Sequence, residues 1–362
     1  MVRSRLSVIA VVCVAAGWFA TGCSTSGTGA ASPSAAAPTG PTKIVLLTHD
    51  SFVVDKQLLA AFKKQTGIDI QVQTVGDAGQ LVSSAVLAAG APSGDVLYGV
   101  DNSLASKAVQ AKVFAPYLSP KLDLLVPKLR HDTFGGVLTP VDYGDVCVVA
   151  DNTWFTSHHL AQPTNLADLA KPAYKNLLVA EDPALSSPGT AFLYATIARY
   201  TDGWQNYWKQ LQSNGVKIAS SWTQAYEGDF SAGGGKGTRP LVVSYGTDAA
   251  ADVLFASDPR PAKPRVTVMH DGCYRQVEYA GVLAGTTKMV AAEKVVDWLT
   301  TLPFQQGIPL NMFVYPARAG VTLPPEFQKW APEATNPLQL APAEVAANQT
   351  QWLSTWGSVM GR

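Results

Sequence analysis

The sequence predicts an α/β protein of two lobes with a ligand cleft between them. Apolar runs of strand length alternate with helix-length amphipathic runs in two successive blocks, and polar and aromatic residues gather where the strands end. The part of the chain able to fold is about 320 residues long, near the size at which a single hydrophobic core stops growing and a chain divides. Strand–helix alternation implies parallel sheets covered by helices. In such sheets ligands gather at the carboxyl ends of the strands.

The first block opens with residues 43–48 (KIVLLT), a buried strand ended by His49, Asp50 and Ser51. Val54, Leu58, Ala61 and Phe62 then share one helical face, and Gly67 stops that helix. Residues 68–74 alternate as a strand, 80–89 read as a helix and 95–100 as a third strand, after which Asp101, Asn102 and Ser103 open another helix. His49, Asp50, Gly76, Asp77, Asp101 and Asn102 therefore fall at strand ends, which points to a site on spacing alone.

The second block repeats the pattern. Residues 177–180 form a strand, Ser187 caps a helix running to residue 199, and Pro188 takes its first position. Residues 216–219 form a strand, followed by Trp222 and Tyr226 one helical turn apart. Residues 241–244 form another, with Tyr245, Gly246, Thr247 and Asp248 at the mouth of a helix. Residues 146–150 and 276–282 are the expected crossings between lobes, and 289–302 and 344–356 the closing helices. The run at 233–238 (GGGKGT) has Lys236 followed by glycine rather than Ser or Thr, so it reads as a flexible loop and not a phosphate-binding loop. His158 and His159 are adjacent and cannot share a helical face, which argues against a metal site there.

Ahead of these blocks, Arg3 and Arg5 precede an apolar run over residues 6–20 that has the length of a secretory signal. It ends in Ala20-Thr21-Gly22-Cys23, which resembles the bacterial lipobox, with Ala20 where leucine is usual. Residues 1–22 then read as a lipoprotein signal peptide and Cys23 as the lipidated residue. An ordinary signal that leaves Cys23 free, and an uncleaved anchor, are the alternatives. On the lipobox reading the protein is anchored to the outer face of the bacterial cytoplasmic membrane, each buried methylene of the acyl chains contributing roughly 0.8 kcal/mol. Residues 23–42 are almost entirely Ser, Thr, Gly, Ala and Pro and read as a lipidated flexible linker. The 27 basic residues balance the 27 acidic ones without a basic block, which argues against nucleic acid and against a polybasic membrane patch. Beyond Cys23, Cys147 and Cys273 remain, and two thiols in an oxidising compartment can pair.

Taken in order, His49-Asp50-Ser51-Phe52, Gly76-Asp77, Gly99-Val100-Asp101-Asn102, Asp142-Tyr143-Gly144, Asp182-Pro183 and Ser186-Ser187-Pro188-Gly189 resemble the extracytoplasmic thiamine-binding proteins of ABC importers. Trp222 with Ala225-Tyr226, Ser244-Tyr245, Gln276-Val277-Glu278, Ile308-Pro309, Tyr315-Pro316, Thr322-Leu323-Pro324 and the tail 342–347 with Trp352 and Trp356 continue the resemblance over nearly all of residues 43–362.

The resemblance implies a two-lobed, hinged fold of the type II periplasmic-binding-protein kind: residues 43–142 as the first part of lobe 1, 143–276 as lobe 2, and 277–362 as the return to lobe 1 with the C-terminal helices. It implies a monomer without cofactor or enzymatic activity that binds thiamine or a thiamine phosphate and delivers it to an ABC permease. The family's ligand contacts fall on Asp77, Ala78, Ser186, Ser187, Trp222, Tyr245, Gly246, Thr247 and Asp248, with His49 where the family often has tyrosine and Phe313 in place of a tryptophan. Lys56 and Ala251 replace further aromatics, so the aromatic cage is thinner and another pyrimidine or thiazole compound is an alternative ligand. Chemically, a permanent cation suits aromatic faces and a nearby carboxylate, which Trp222, Tyr245 and Phe313 with Asp77 or Asp248 supply, and the helix start at Ser186 and Ser187 suits a phosphate. Two rival classes remain: a receptor for another solute such as ferric iron or a polyamine, and a thiamine-degrading enzyme using Cys147 as nucleophile with Glu278 or Asp145 as base.

Overall fold

The computed structural model describes residues 41–257 and 259–362. The expected signal peptide, Cys23 and the expected linker up to residue 40 lie outside the described residues. The first block runs β1 (Thr42–Thr48), α1 (Lys56–Thr66), β2 (Ile68–Thr74), α2 (Ala78–Leu87), β3 (Val96–Asp101) and α3 (Ala105–Gln110). Asp55 caps α1 by accepting the Gln57 N–H, and Gly67 ends it with φ +70°. A long strand β4 (Thr139–Asp151) leads to α4 (Asn152–Ser157) and α5 (Leu166–Leu169). The second block then runs β5 (Leu178–Glu181), α6 (Ser187–Tyr200), α7 (Trp204–Ser213), β6 (Lys217–Ala219), β7 (Leu241–Tyr245) and α8 (Asp248–Leu254). The chain closes with β8 (Val266–Val282), α9 (Met289–Leu299), α10 (Leu302–Asn311), β9 (Tyr315–Pro316), α11 (Pro325–Trp330) and α12 (Pro342–Met360).

The strands form one sheet in the order β2-β1-β3-β8-β4-β7-β5-β6, with β9 beside β4. The expected two-lobed α/β architecture is present as two parallel three-stranded units, β2-β1-β3 and β7-β5-β6, on either side of the antiparallel β8–β4 pair. The inner strands β1, β3, β5 and β7 are covered on both faces, which is why they are largely apolar, whereas the edge strand β2 alternates and exposes Gln71 and Gln73. In β1, Ile44 and Leu46 pack towards Phe62 of α1 and Val295 and Trp298 of α9, while Leu47 turns to Leu81 and Val82 of α2. In the second unit, Leu178, Ala180, Leu241 and Val243 face α6 and α7, while Val179 and Val242 face Ala219 and Phe230. The last helix, α12, joins this second core: Trp356 meets Trp208 of α7 edge-on at 5.5 Å between ring centroids.

Three local expectations shift. Ser186, not Ser187, is the N-cap of α6, and its side chain makes no capping bond; its hydroxyl lies near Asp77 without a bonding partner among the described residues, while Ser187 Oγ accepts from Gln276 Nε2 at 3.0 Å. The helix expected over 289–302 stops at Leu299, since Pro303 sits in the first turn of a new helix, α10. The helix expected to open at residue 101 starts at Ala105, because the Asp101 carboxylate takes the N–H groups of Ser103 (2.7 Å) and Leu104 (3.0 Å) in a turn of its own.

Cys147 of β4 and Cys273 of β8 form a disulfide, with Cα atoms 4.3 Å apart. It closes an irregularity in the strand pair: Val146 pairs with Tyr274 and Val148 with Met269, so residues 270–273 all stand opposite Cys147. A sulfur in a buried disulfide is no thiolate, which overturns the reading of Cys147 as a nucleophile. The bridge spans 126 residues of sequence. Replacing both cysteines by alanine should therefore lower unfolding stability by roughly 2–4 kcal/mol, measured by urea denaturation.

Candidate functional site

The carboxyl ends of strands from both parallel units converge on a cavity of about 390 Å³. His49 and Ser51 follow β1, Asp77 and Ala78 open α2, and Ser187 and Pro188 open α6. Trp222, Thr223 and Glu227 come from a wide π-helical turn after β6, Tyr245 ends β7, Asp248 begins α8 and Glu278 projects from β8. Leu310, Asn311, Met312, Phe313 and Val314, at the end of α10 and just beyond it, close the remaining side. The lining holds the carboxylates of Asp77, Glu227, Asp248 and Glu278 but no Lys or Arg.

Of the residues expected from sequence, His49, Asp77, Ala78, Ser187, Trp222, Tyr245, Asp248 and Phe313 line this one cavity. Ser186, Gly246 and Thr247 stand behind the wall. Ser186 supports Asp77, the Gly246 N–H donates to the Asp145 carbonyl at 2.7 Å, and the Thr247 hydroxyl donates to the Phe313 carbonyl. Asp101 and Asn102, at the end of β3, are engaged locally: Asp101 in its own turn, and Asn102 with the β8 backbone at Arg275 and Val277. Glu227, Glu278 as a cavity wall, and the stretch 310–312 were not anticipated as site residues. Phe313 carries φ +57°, unusual for a bulky residue. The Thr247 bond to its carbonyl and edge-on packing against Phe255 at 4.7 Å hold it there.

Asp77 ties the two blocks together. Its Oδ1 accepts the Ala78 N–H at 2.6 Å and caps α2, while Oδ2 accepts the backbone N–H of Trp222 at 3.0 Å. Burial pushes this carboxyl up, against the pull of the Trp222 N–H, the nearby Ser186 hydroxyl and the Ala78 N–H. The Trp222 ring stacks on Tyr226 at 5.1 Å and 16° and meets Tyr245 edge-on at 6.5 Å. Its indole Nε1–H donates to Ser244 Oγ at 2.9 Å. Burial pushes Asp248 up to about 7 against the pull of the nearby Ser244 hydroxyl and Tyr245 backbone, and Asp252 and Glu227 add to the rise.

On the opposite wall His49 Nε2 lies 3.6 Å from Glu278 Oε1. Gly99 permits this approach: at φ +101°, any β-carbon there would come within 2.3 Å of the His49 ring. The Tyr98 hydroxyl bridges Asp142 and Glu278, which are cross-strand partners, and lies 3.2 Å from Glu278 Oε2. Burial, then the neighbouring Glu278, push Asp142 well above the usual carboxylate range. Burial would also raise Glu278, but His49, Asp142 and Tyr98 together hold it below the usual carboxylate range. For His49, burial lowers the imidazole while Glu278, with Asp77 and Asp50 further off, raises it above its ordinary value. The fixed cation at this wall thus depends on one carboxylate.

The arrangement suits a small, flat, positively charged solute: aromatic rings on one wall, buried carboxylates around it, and the one histidine of the lining already facing a carboxylate. The profile of the family described as bacterial extracellular solute-binding protein matches residues 91–340. The chain is 29% identical to the thiamine-binding periplasmic protein of Escherichia coli and 28% identical to that of Salmonella typhimurium, each alignment covering 88% of this chain and 94% of the relative. A solved periplasmic thiamin binding protein superposes with a TM-score of 0.77 at 26% identity, over 88% of this chain and 96% of that one. Replacing Glu278 by glutamine leaves burial as the dominant influence on His49. The His49 imidazole, titrated by NMR, should then fall from above to below its ordinary pKa.

Proposed function

The chain belongs to the family of bacterial extracellular solute-binding proteins, and on that premise we propose that it is a thiamine receptor that delivers its ligand to an ABC permease. The observation that carries the reading is the cavity itself: Trp222, Tyr245 and Phe313 among four carboxylates, with no Lys or Arg in the lining. Thiamine brings a thiazolium whose charge cannot be titrated away, a flat aminopyrimidine and a hydroxyethyl tail. A permanent cation over aromatic faces gains about 0.5–2 kcal/mol per contact, and more once desolvated. The curated relatives carrying the thiamine-binding name align over most of their length, which supports the same ligand here.

Among the lining residues Trp222 is assigned the principal stacking face, because Tyr226 behind it and Ser244 at its Nε1–H fix its plane. Asp248 is assigned the counter-charge. Asp77 already accepts bonds through both oxygens, whereas Asp248 Oδ2 has no partner among the described residues. Thr247 acts at one remove, by holding Phe313. The unesterified vitamin fits better than its phosphates: the α6 start offers backbone donors, but one of its first positions is Pro188, and carboxylates rather than cations surround the space. A ferric site of paired tyrosines finds no counterpart, since Tyr245 is the one tyrosine in the lining. We assign no catalytic step to the protein. Membrane attachment through an acylated Cys23, and the lobe limits at about residues 142 and 276, are parts of the same proposal.

Calorimetric titration tests the reading. Thiamine should bind one-to-one, and Trp222→Ala should weaken it at least about tenfold, the equivalent of one well-placed cation–π contact. Thiamine phosphate should bind at least about tenfold more weakly than thiamine, from charge repulsion in a poorly solvated cleft. No heat with thiamine would reject the assignment.

A further inference from the structure

Behind the cavity wall lies a second buried acid that the binding reading does not use. Glu181, the last residue of β5, is wholly buried, and neither of its carboxyl oxygens has a hydrogen-bonding partner among the described side chains and backbone. It lies within electrostatic reach of both Asp77 and Asp248. Asp248 itself is 4% exposed, lines the cavity, and also has one unpartnered oxygen. Two carboxyl groups so placed cannot both be ionised in an empty, poorly solvated cleft.

No fixed cation relieves them. His49 is paired with Glu278, and Arg265 is held in a two-pronged bond by Asp252, one turn along α8 from Asp248. From the other elements packed around Asp248 come Glu227 and Tyr226 of the π-helical turn, which add negative charge or none. On α11, Glu326 pairs with Arg260, and Lys329 lies over the ring of Trp330. On β8, Arg275 is bound to Asp145 and Asp271 to Arg199. The compensating positive charge must come from the ligand or from a proton.

We propose that Asp248, backed by Glu181, makes the site selective for a permanent cation by giving up its carboxyl proton when the cation enters. This deepens the thiamine reading and rests on it. In the step, the O–H bond of Asp248 breaks, its electron pair stays on the carboxylate, and the proton passes to the buffer. Charge in the cleft is then the same before and after binding. A neutral ligand of the same shape leaves the proton in place and forgoes the ion pair, so discrimination follows from charge. Glu181 keeps its proton throughout: it is the more deeply buried group, and ionised Asp248 beside it disfavours a second negative charge. Ser244, which takes the Trp222 indole N–H, also lies close enough to Asp248 to favour its ionised form, so the acid that ionises neighbours the ring that stacks.

The free-state carboxyl is pushed up to about 7. Below that pH binding must remove a proton, so affinity should rise with pH and level off above it. The test is calorimetry of thiamine binding to the full chain at pH 6.5, in phosphate and in Tris, whose ionisation enthalpies differ. It is joined to a pH series from 6 to 8. The expected result is release of roughly one proton and an affinity about tenfold higher at pH 8 than at pH 6. Asp248→Asn should abolish both the release and the pH dependence, while Glu181→Gln should keep them. Thiamine bound with no proton release and a flat pH profile overturns the proposal and leaves the receptor reading standing. Release that survives Asp248→Asn overturns it too. Failure of thiamine to bind at all overturns both.

Discussion

One carboxylate holds the two sides of the cleft in register. Asp77 caps α2 with one oxygen and takes the Trp222 backbone N–H with the other, so a bond that begins as a helix cap in the first block fixes the aromatic turn of the second. A carboxyl group that accepts two backbone N–H bonds fixes both donors at once, and its burial makes each bond count for more. The position of the Trp222 ring and its contact with Ser244 both follow from where that N–H is held.

The β4–β8 pair supplies the frame. Its long strands join two parallel units that otherwise have separate cores, and the Cys147–Cys273 bridge clamps the point where the pairing slips. Alternation along β8 then does two jobs. Gln276 and Glu278 face Ser187 and His49 on the cavity side, while Arg275 on the opposite face binds Asp145. The salt bridge that stiffens the frame and the carboxylate that tunes His49 are thus consecutive features of one strand's periodicity.

Most of this was legible before any coordinates. Strands β1 and β7 follow from continuous apolar runs, β2 from period-two alternation, and α1 from Val54 to Phe62 with Gly67 beyond it, because local pattern and tertiary burial agree there. Reading ligand residues at strand ends reached Asp77, Trp222, Tyr245 and Asp248, since a parallel sheet has little choice about where its polar ends gather. What escaped depends on long-range packing. Phe313 itself was reached through the family resemblance, but its left-handed backbone, held by Thr247 66 residues away in sequence, was not: no local signal marks a phenylalanine for that conformation. Glu181 falls just past the strand expected over 177–180, with nothing local to mark it; only the fold buries it. Ser187 is drawn from the cap by a distant partner, Gln276.

The account's central claim is that a cationic aromatic ligand sits between the Trp222 face and the Asp248 carboxylate. A crystal structure of the protein grown with thiamine tests it most directly. The account predicts the thiazolium ring over Trp222, with its centroid within about 6 Å of the indole and its positive edge turned to Asp248. Thiamine bound with the thiazolium away from both residues, or bound outside this cavity, would contradict it.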